Sequence, residues 1–313
     1  MAEWQSVFKS SSKLEIFFRL TRIQFIPLII LPALVGTSIA WLEFKQFNAL
    51  YFALVLLGVS LLHLGANSID DVYDYANGVD QIANSMFPKE FGGWKPLPRR
   101  LISLRGAKLI SALLFGSSLV IGIYFWRVMG FWALGLALGG VALATVYTAP
   151  PFKLDYRGFA LGEISILFSF GPIPVLGAFF VQTGALALNP LLVSIPIGLM
   201  TVTILVDHDL IFYEAYKKSG KQSLGTVLGR KNALKASLAM TLVSYLLVVG
   251  LALANVIPVW TLLAPLMSAL ILARKARAFS RSEEPPSYYV PFTTNGLISN
   301  WTFALVLALT LLL

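Results

Sequence analysis

Long apolar stretches separated by short polar connections recur along most of the chain, and their length is the first clue to the fold. Runs near 24–42, 49–66, 106–126, 129–149, 158–181, 188–206, 234–254, 257–273 and 295–313 are each long enough to cross a bilayer as a helix. In hydrocarbon every backbone N–H and C=O must be satisfied inside the segment, so helix is the expectation for all of them. The pattern predicts an all-α integral membrane protein with about nine transmembrane helices around a central chamber open to lipid. Connections this short leave no room for a separate soluble domain, so 1–313 is expected to form a single polytopic domain.

Composition agrees with that reading. Of the 313 residues 57% are hydrophobic and only 12% charged, with a mean hydropathy of +0.78. Of the 24 Lys and Arg residues, all except Lys45 and Arg127 lie in the N-terminal arm (Lys9, Lys13, Arg19, Arg22) or in segments 67–108, 150–157, 207–235 and 274–281. These alternate connections would all lie on one side of a nine-helix bundle. Cytoplasmic connections retain Lys and Arg, so the N-terminus is expected in the cytoplasm. The net charge of +9 then reads as a topology signal and as attraction for anionic lipid or diphosphate, and nucleic acid is not expected as a partner. The absence of cysteine excludes disulfides, thiolate metal sites and cysteine nucleophiles. Residues 1–23 lack a continuous apolar core followed by a small-residue cleavage site. They are expected to form an interfacial helix, with Leu14, Phe17, Phe18 and Leu20 toward lipid and Lys13, Arg19 and Arg22 among the headgroups. With no targeting segment, the expected location is a prokaryotic plasma membrane, the active site facing the cytoplasm.

Candidate chemistry concentrates where the second apolar run ends. If its helix continues, Asn67, Asp70, Asp71 and Asp74 follow the i, i+3, i+4, i+7 spacing and project from one face. Asn77-Gly78 would end the helix and let Asp80 fold back toward the same site. Charged groups at a membrane boundary are costly, and acids this close repel one another unless a cation intervenes. An oxygen-only donor set suits Mg²⁺, usually held by one or two carboxylates plus substrate phosphates. A solvated acidic helix end is the plainer alternative. The expected metal ligands are Asp70, Asp71, Asp74, Asp80 and, from a second polar island, Asp209.

Basic groups near both islands are candidates for phosphate oxygens. Segments 67–105 and 207–233 are expected to carry the active site. In the first, Lys95, Arg99 and Arg100 follow Phe91-Gly92-Gly93-Trp94, whose glycines permit close backbone approach. In the second, Lys217, Lys218 and Lys221 follow Asp207-His208-Asp209. Asn67 and Arg22 complete the diphosphate-binding set. A connection at 147–157 contains Pro150-Pro151, which fixes an extended turn able to hold Tyr147, Lys153 and Tyr156 over a site. Asp71, Asp74, Tyr147 and Lys153 are the expected catalytic residues. Gly171-Pro172-Ile173-Pro174 predicts a kink in the fifth span, which also carries the intramembrane acid Glu163. Phe168, Phe170, Phe179 and Phe180 could stabilise a carbocation through their π faces, although packing is the commoner role for phenylalanine.

At these residues the chain resembles the UbiA superfamily of intramembrane prenyltransferases, and within it the menaquinone-pathway branch. That branch carries an Asn-x-x-Asn-Asp-x-x-Asp-Tyr-x-x-Gly-x-Asp motif after its second helix. Asn67, Asp71, Asp74, Tyr75, Gly78 and Asp80 stand at matching positions, with Asp70 in place of the second Asn. The resemblance extends to 147–157, Phe170-Gly171-Pro172, Gln182-Thr183-Gly184, Gly220-Lys221-x-Ser223-Leu224 and Leu228-Gly229-Arg230. It departs at the second acidic motif, where the two expected aspartates fall on Phe212 and Tyr216 and the preceding Asn pair on His208 and Asp209. The resemblance implies Mg²⁺, a polyprenyl diphosphate donor, and transfer of the prenyl group to a hydrophobic or aromatic acceptor such as a dihydroxynaphthoate within the membrane. Transfer to a glycerol-phosphate lipid, cation-coupled transport and a non-catalytic lipid-binding role are the competing readings. Glu163, Tyr147 and His208 are the groups that could deprotonate an acceptor.

Overall fold

The computed structural model describes residues 12–86, 95–278 and 286–313. Lys9, Lys89, Phe91, Gly92, Gly93, Trp94 and Arg281 fall outside these residues, and the side chains of Arg274, Lys275 and Arg277 are likewise outside the description. The described residues form α-helices and short 3₁₀ turns, with no strand among them. In chain order the helices are α1 (Lys13–Thr21), α2 (Pro27–Phe44), α3 (Ala49–Ala76), α4 (Val79–Met86), α5 (Leu104–Met129), α6 (Phe131–Thr148) and α7 (Leu161–Phe170). There follow α8 (Pro172–Thr183), α9 (Leu188–Ile211), α10 (Tyr213–Ser219), α11 (Leu224–Leu253), α12 (Leu263–Ala278) and α13 (Pro286–Thr310).

Among the described residues, eight helical segments are long and apolar enough to cross a membrane, running from Ile23–Phe44 to Tyr289–Thr310. The expected span at 257–273 is the exception, a shorter apolar helical stretch over Val259–Leu272. Asn255 takes a left-handed conformation (φ 57°), and Pro258 leads into a 3₁₀ turn over Val259–Leu262 before α12 begins. The fifth span breaks at Gly171 into α7 and α8, where the sequence places its kink. Pro172 offers no N–H to continue the helix. A Cβ on Gly171 would lie 2.6 Å from the Ser194 carbonyl oxygen and 2.8 Å from that of Leu167, so the bend also lets α7 and α9 approach closely.

Core packing centres on α9, two-thirds of whose apolar window is buried. Val193, Ile197 and Met200 on α9 pack with Val35 and Ile39 of α2, Val175 and Phe179 of α8, and Phe303 and Leu307 of α13. Inside this bundle buried hydroxyls return to their own helix, as Thr37 and Ser38 donate to the carbonyls of Ala33 and Leu34 at 3.0 Å. Among the described glycines the closest approach is between α2 and α8, where a Cβ on Gly36 would lie 2.2 Å from the Val175 carbonyl oxygen. Backbone cannot yield as a side chain can. Gly36→Ala is therefore expected to destabilise the bundle by about 1–3 kcal/mol, read as earlier thermal unfolding of the detergent-solubilised protein. An unshifted transition would show that the two helices separate freely.

At the N-terminal end Ser12 caps α1, its Oγ accepting from the Glu15 N–H at 3.1 Å. Leu14 and Phe18 are exposed, but Leu20 is fully buried with Val72, Leu97 and Ala107. The last turn of α1 thus packs on the polar end of α3 and does not point to lipid, because Asn67 of α3 donates to the Thr21 carbonyl at 3.0 Å and holds it there.

Candidate active site

Helix α3 continues without interruption to Ala76, so the face carrying Asn67, Asp70, Asp71 and Asp74 forms as the spacing implies. Gly78 adopts φ 83°, a conformation open to glycine, and the resulting turn starts α4 with Asp80 in its first turn and 1% exposed. Asp71 and Asp74 are equally buried, at 1% and 2%. Burying so many carboxylates demands counter-charge. Arg22, at the left-handed C-cap of α1, donates to Asp70 Oδ2 at 3.0 Å and to Asp71 Oδ1. Lys95 Nζ lies 2.6 Å from Asp80 Oδ1, 3.0 Å from Asp71 Oδ1 and 3.8 Å from Asp74 Oδ2.

A second group of elements closes the other side. The turn after Pro150-Pro151 brings Tyr156 Oη to donate to Asp74 Oδ1 and Asp155 into an ion pair with Lys221. Gly220, at φ 77°, ends α10 and turns Lys221 inward. Its ammonium lies 3.7 Å from Asp74 Oδ2, 4.6 Å from the centroid of the Tyr216 ring and 5.0 Å from that of Tyr156. Lys221 is 5% exposed, so the two rings and two carboxylates form most of its surroundings. Glu163 of α7 fixes this segment from behind by accepting from the Leu224 N–H at 2.6 Å, which caps α11.

Together these groups form the polar end of a chamber of about 970 Å³ whose remaining walls are largely apolar. Of the expected site residues, Arg22, Asn67, Asp70, Asp71, Asp74, Asp80, Lys95, Tyr147, Asp209 and Lys221 all line it. Five others do not. Lys153 donates to Asn77 Oδ1 at 2.6 Å and braces the end of α3 from outside. Arg99 donates to Asn84 at 3.2 Å, and Arg100 is exposed in a left-handed turn. Lys217 and Lys218 are exposed on the outer side of α10, because that short helix turns Tyr216 to the chamber. Among the aromatics, Phe170 lines the chamber, with its ring edge-on to His63 at 5.5 Å. Phe179 and Phe180 are packed in the core and Phe168 is 45% exposed.

Phe212 and Tyr216, which occupy the positions of the second acidic motif, line the chamber as a stacked pair with centroids 5.9 Å apart. His208 lies against Phe212 at 4.8 Å. Where acids are expected, this wall therefore presents aromatic rings and the Lys221 ammonium. The pairing of Asp155 with Lys221 is not indicated by sequence spacing, since 66 positions separate them. The one available signal is the rigid Pro150-Pro151 turn, which also holds Tyr156 over Asp74.

Acidic groups outnumber basic ones at the polar end, where Asp70, Asp71, Asp74, Asp80 and Asp155 face Arg22, Lys95 and Lys221. Burial pushes the Asp80 carboxyl up to about 8 despite Lys95, and that of Asp155 up to about 7 despite Lys221. Asp70 Oδ1 and Asp80 Oδ2 are buried without a hydrogen-bond partner. An all-oxygen donor set with unpartnered oxygens, in carboxyl groups whose charged form burial disfavours without a cation, fits Mg²⁺. Among the described residues no three Asp, Glu or His side chains converge as a protein-only metal cage. That is the usual situation for an ion that takes part of its coordination from phosphate and water.

Tyr156→Phe removes one donor from Asp74 without touching the ion pairs. It is expected to lower turnover about tenfold, equivalent to ~1.4 kcal/mol in the barrier, with the thermal transition retained. Unchanged kinetics would mean that Asp74 is held well enough by its neighbours.

A buried, cation-braced carboxylate cluster opens onto a largely apolar chamber within a bundle of membrane-length helices, the architecture of an enzyme embedded in a membrane. The chain belongs to the UbiA prenyltransferase family, whose sequence profile matches residues 29–296. It is 25% identical to the 1,4-dihydroxy-2-naphthoate octaprenyltransferase of Bacillus subtilis (strain 168), over 99% of this chain and 96% of that protein. With the 2-carboxy-1,4-naphthoquinone phytyltransferase of Synechocystis sp. it shares 29% identity over 78% of this chain and 74% of that one. The fold matches a UbiA homolog from Archaeoglobus fulgidus bound to GPP and Mg²⁺, with a TM-score of 0.66, 18% identity, and coverage of 93% of this chain and 99% of that one. A structure described as digeranylgeranylglyceryl phosphate synthase matches with a TM-score of 0.64 and 18% identity, over 96% and 99% of the two chains. The chain is thus an all-α integral membrane prenyltransferase.

Proposed function

We propose that this prenyltransferase transfers a polyprenyl group from an isoprenyl diphosphate to an aromatic acceptor of the dihydroxynaphthoate type, in a Mg²⁺-dependent reaction. One observation carries the reading: the Arg22, Lys95 and Lys221 cations and the unpartnered oxygens of Asp70 and Asp80 meet at the polar end of a chamber whose other walls are largely apolar. The naphthoate-type acceptor is supported by the names of the relatives that match over most of the chain.

Asp70, Asp71, Asp74 and Asp80 would hold Mg²⁺, with Asp209 on the facing wall as a further ligand. An ion held by these carboxylates would supply positive charge for the diphosphate as the bond from its oxygen to the prenyl C1 breaks. Arg22 and Lys95 share those carboxylates and can turn to diphosphate oxygens, Arg22 bidentately. Lys221 contributes a fixed positive charge from the opposite wall. Filled by the prenyl tail and the acceptor, the largely apolar chamber would leave little room for water, so that the acceptor carbon, rather than water, forms the new bond to C1. The proton displaced from the acceptor needs a base within reach. Tyr147 and His208 line the chamber, whereas Glu163 is engaged in capping α11.

In this reading residues 1–313 act as one domain, with segments 67–105 and 207–233 forming the polar end of the site. That end faces the cytoplasm of a prokaryotic plasma membrane. Support for the orientation comes from the concentration of Lys and Arg in the connections around it.

The test is an acceptor panel. Purified protein in lipid vesicles is supplied with Mg²⁺, a prenyl diphosphate and, separately, dihydroxynaphthoate, hydroxybenzoate or glycerol phosphate, and products are identified by mass. Prenylated naphthoate is the expected product. Prenylation of glycerol phosphate instead would move the assignment to a lipid acceptor, and no product with any acceptor would favour a lipid-binding member without turnover.

A further inference from the structure

One face of α3 does more than carry the acids. Asp74, Asp71, Asp70, Asn67, Ala66, His63 and Leu62 line the chamber from its polar end inward. The same face then continues as Leu62, Val59, Gly58 and Val55 along a second, apolar cavity of about 90 Å³ between α3, α5, α6 and α8. From Asp70 to Leu62 is eight residues, about 12 Å along the helix axis. Two residues border both spaces, Leu62 of α3 and Gly140 of α6. They also face each other, since a Cβ on Gly140 would lie 3.3 Å from Leu62 Cδ2 and 3.4 Å from its Cδ1. The Leu62 side chain is therefore the partition between chamber and groove, and the missing side chain at Gly140 leaves it room to move.

The groove has the character of a tail site. Its polar surface is slight, and its walls include Ala133, Ala137, Gly177 and Ala178, which leave space that larger side chains would fill. Across the partition lies the chamber at whose polar end the donor's diphosphate would bind. A tail too long for the chamber needs a further apolar space, and the groove is one that shares two lining residues with the chamber.

We propose that Leu62 and Gly140 form a gate through which the tail of a long prenyl donor passes from the chamber into the groove, so that this pair sets the longest donor the enzyme accepts. The inference rests on the donor assigned under the proposed function. It makes Leu62 and Gly140 specificity-determining residues remote from the reacting atoms.

Two measurements test it. The first is the ratio of kcat/KM for octaprenyl diphosphate to that for geranyl diphosphate in protein reconstituted in lipid. Gly140→Leu is expected to lower this ratio about tenfold or more, and Leu62→Ala to hold or raise it. An equal ratio in the parent and both variants overturns the gate. The second works on the unaltered protein, and so does not depend on how the variants fold: saturable photolabelling by a geranylgeranyl diphosphate analogue with a diazirine at the tail end. Labels on Val59, Ile121 or Ala137 support the proposal. Labels on Phe25 or Leu297, which line the chamber and not the groove, overturn it while leaving the donor assignment intact. No saturable labelling overturns the donor assignment, and the gate with it.

Discussion

Asp74→Asn is expected to lower prenyl-transfer turnover by on the order of 10²–10³-fold while leaving the protein folded, the magnitude that follows when a group fixing transition-state charge is lost. The substitution keeps shape and removes charge. The new amide oxygen can still accept from Tyr156 Oη, which in the parent donates to Asp74 Oδ1. Neither neighbouring cation is stranded: Lys95 retains Asp71 and Asp80, and Lys221 retains Asp155. What disappears is a carboxylate at 2% exposure in the centre of the donor set, where no solvent can replace it. Turnover and thermal unfolding measured on one preparation separate the two effects. Loss of both together would mean that Asp74 is needed for the fold, and retention of activity would remove it from the site.

Lys221→Met should act differently, striking stability and activity at once. Its ammonium is the counter-charge for Asp155, itself 3% exposed, and lies 3.7 Å from Asp74. Removing one partner of a buried pair leaves the other uncompensated, a loss of about 3–5 kcal/mol. Because Lys221 is also the cation on the wall where Phe212 and Tyr216 replace acids, turnover is expected to fall on the order of 10²-fold. The double variant Lys221→Met/Asp155→Asn distinguishes the two roles. Neutralising the stranded carboxylate should recover most of the stability and none of the turnover. Recovery of both would reduce Lys221 to a structural ion pair.

How much of this was legible in the sequence depended on whether a feature was local. The acidic face of α3 follows from helical periodicity, and its continuation from the apolar run placed Asn67, Asp70, Asp71 and Asp74 together. The break at Gly171-Pro172 is equally local, since it needs only a missing side chain and a missing N–H. Which basic residues reach the site is not local. Lys217, Lys218 and Lys221 look alike in sequence, and only the Gly220 turn directs the third of them inward. Lys153 and Tyr156 lie three positions apart in one connection, yet the lysine braces Asn77 while the tyrosine donates to Asp74. Leu20 reads as a lipid-facing residue of an amphipathic helix, and is buried because α1 folds onto α3. For Lys153, Tyr156 and Leu20 the deciding contact comes from an element far away in the chain.

The central claim is that the α3 carboxylates and the cations braced against them grip a prenyl diphosphate with Mg²⁺ and release diphosphate on transfer. Its most direct test is diphosphate release from geranylgeranyl diphosphate with dihydroxynaphthoate present, in lipid, measured with Mg²⁺ and after chelation for the parent protein and Asp74→Asn. Release that requires both the metal and Asp74, matched mole for mole by prenylated acceptor, is the predicted result. Release that persists after chelation, or that Asp74→Asn leaves unchanged, would contradict the account.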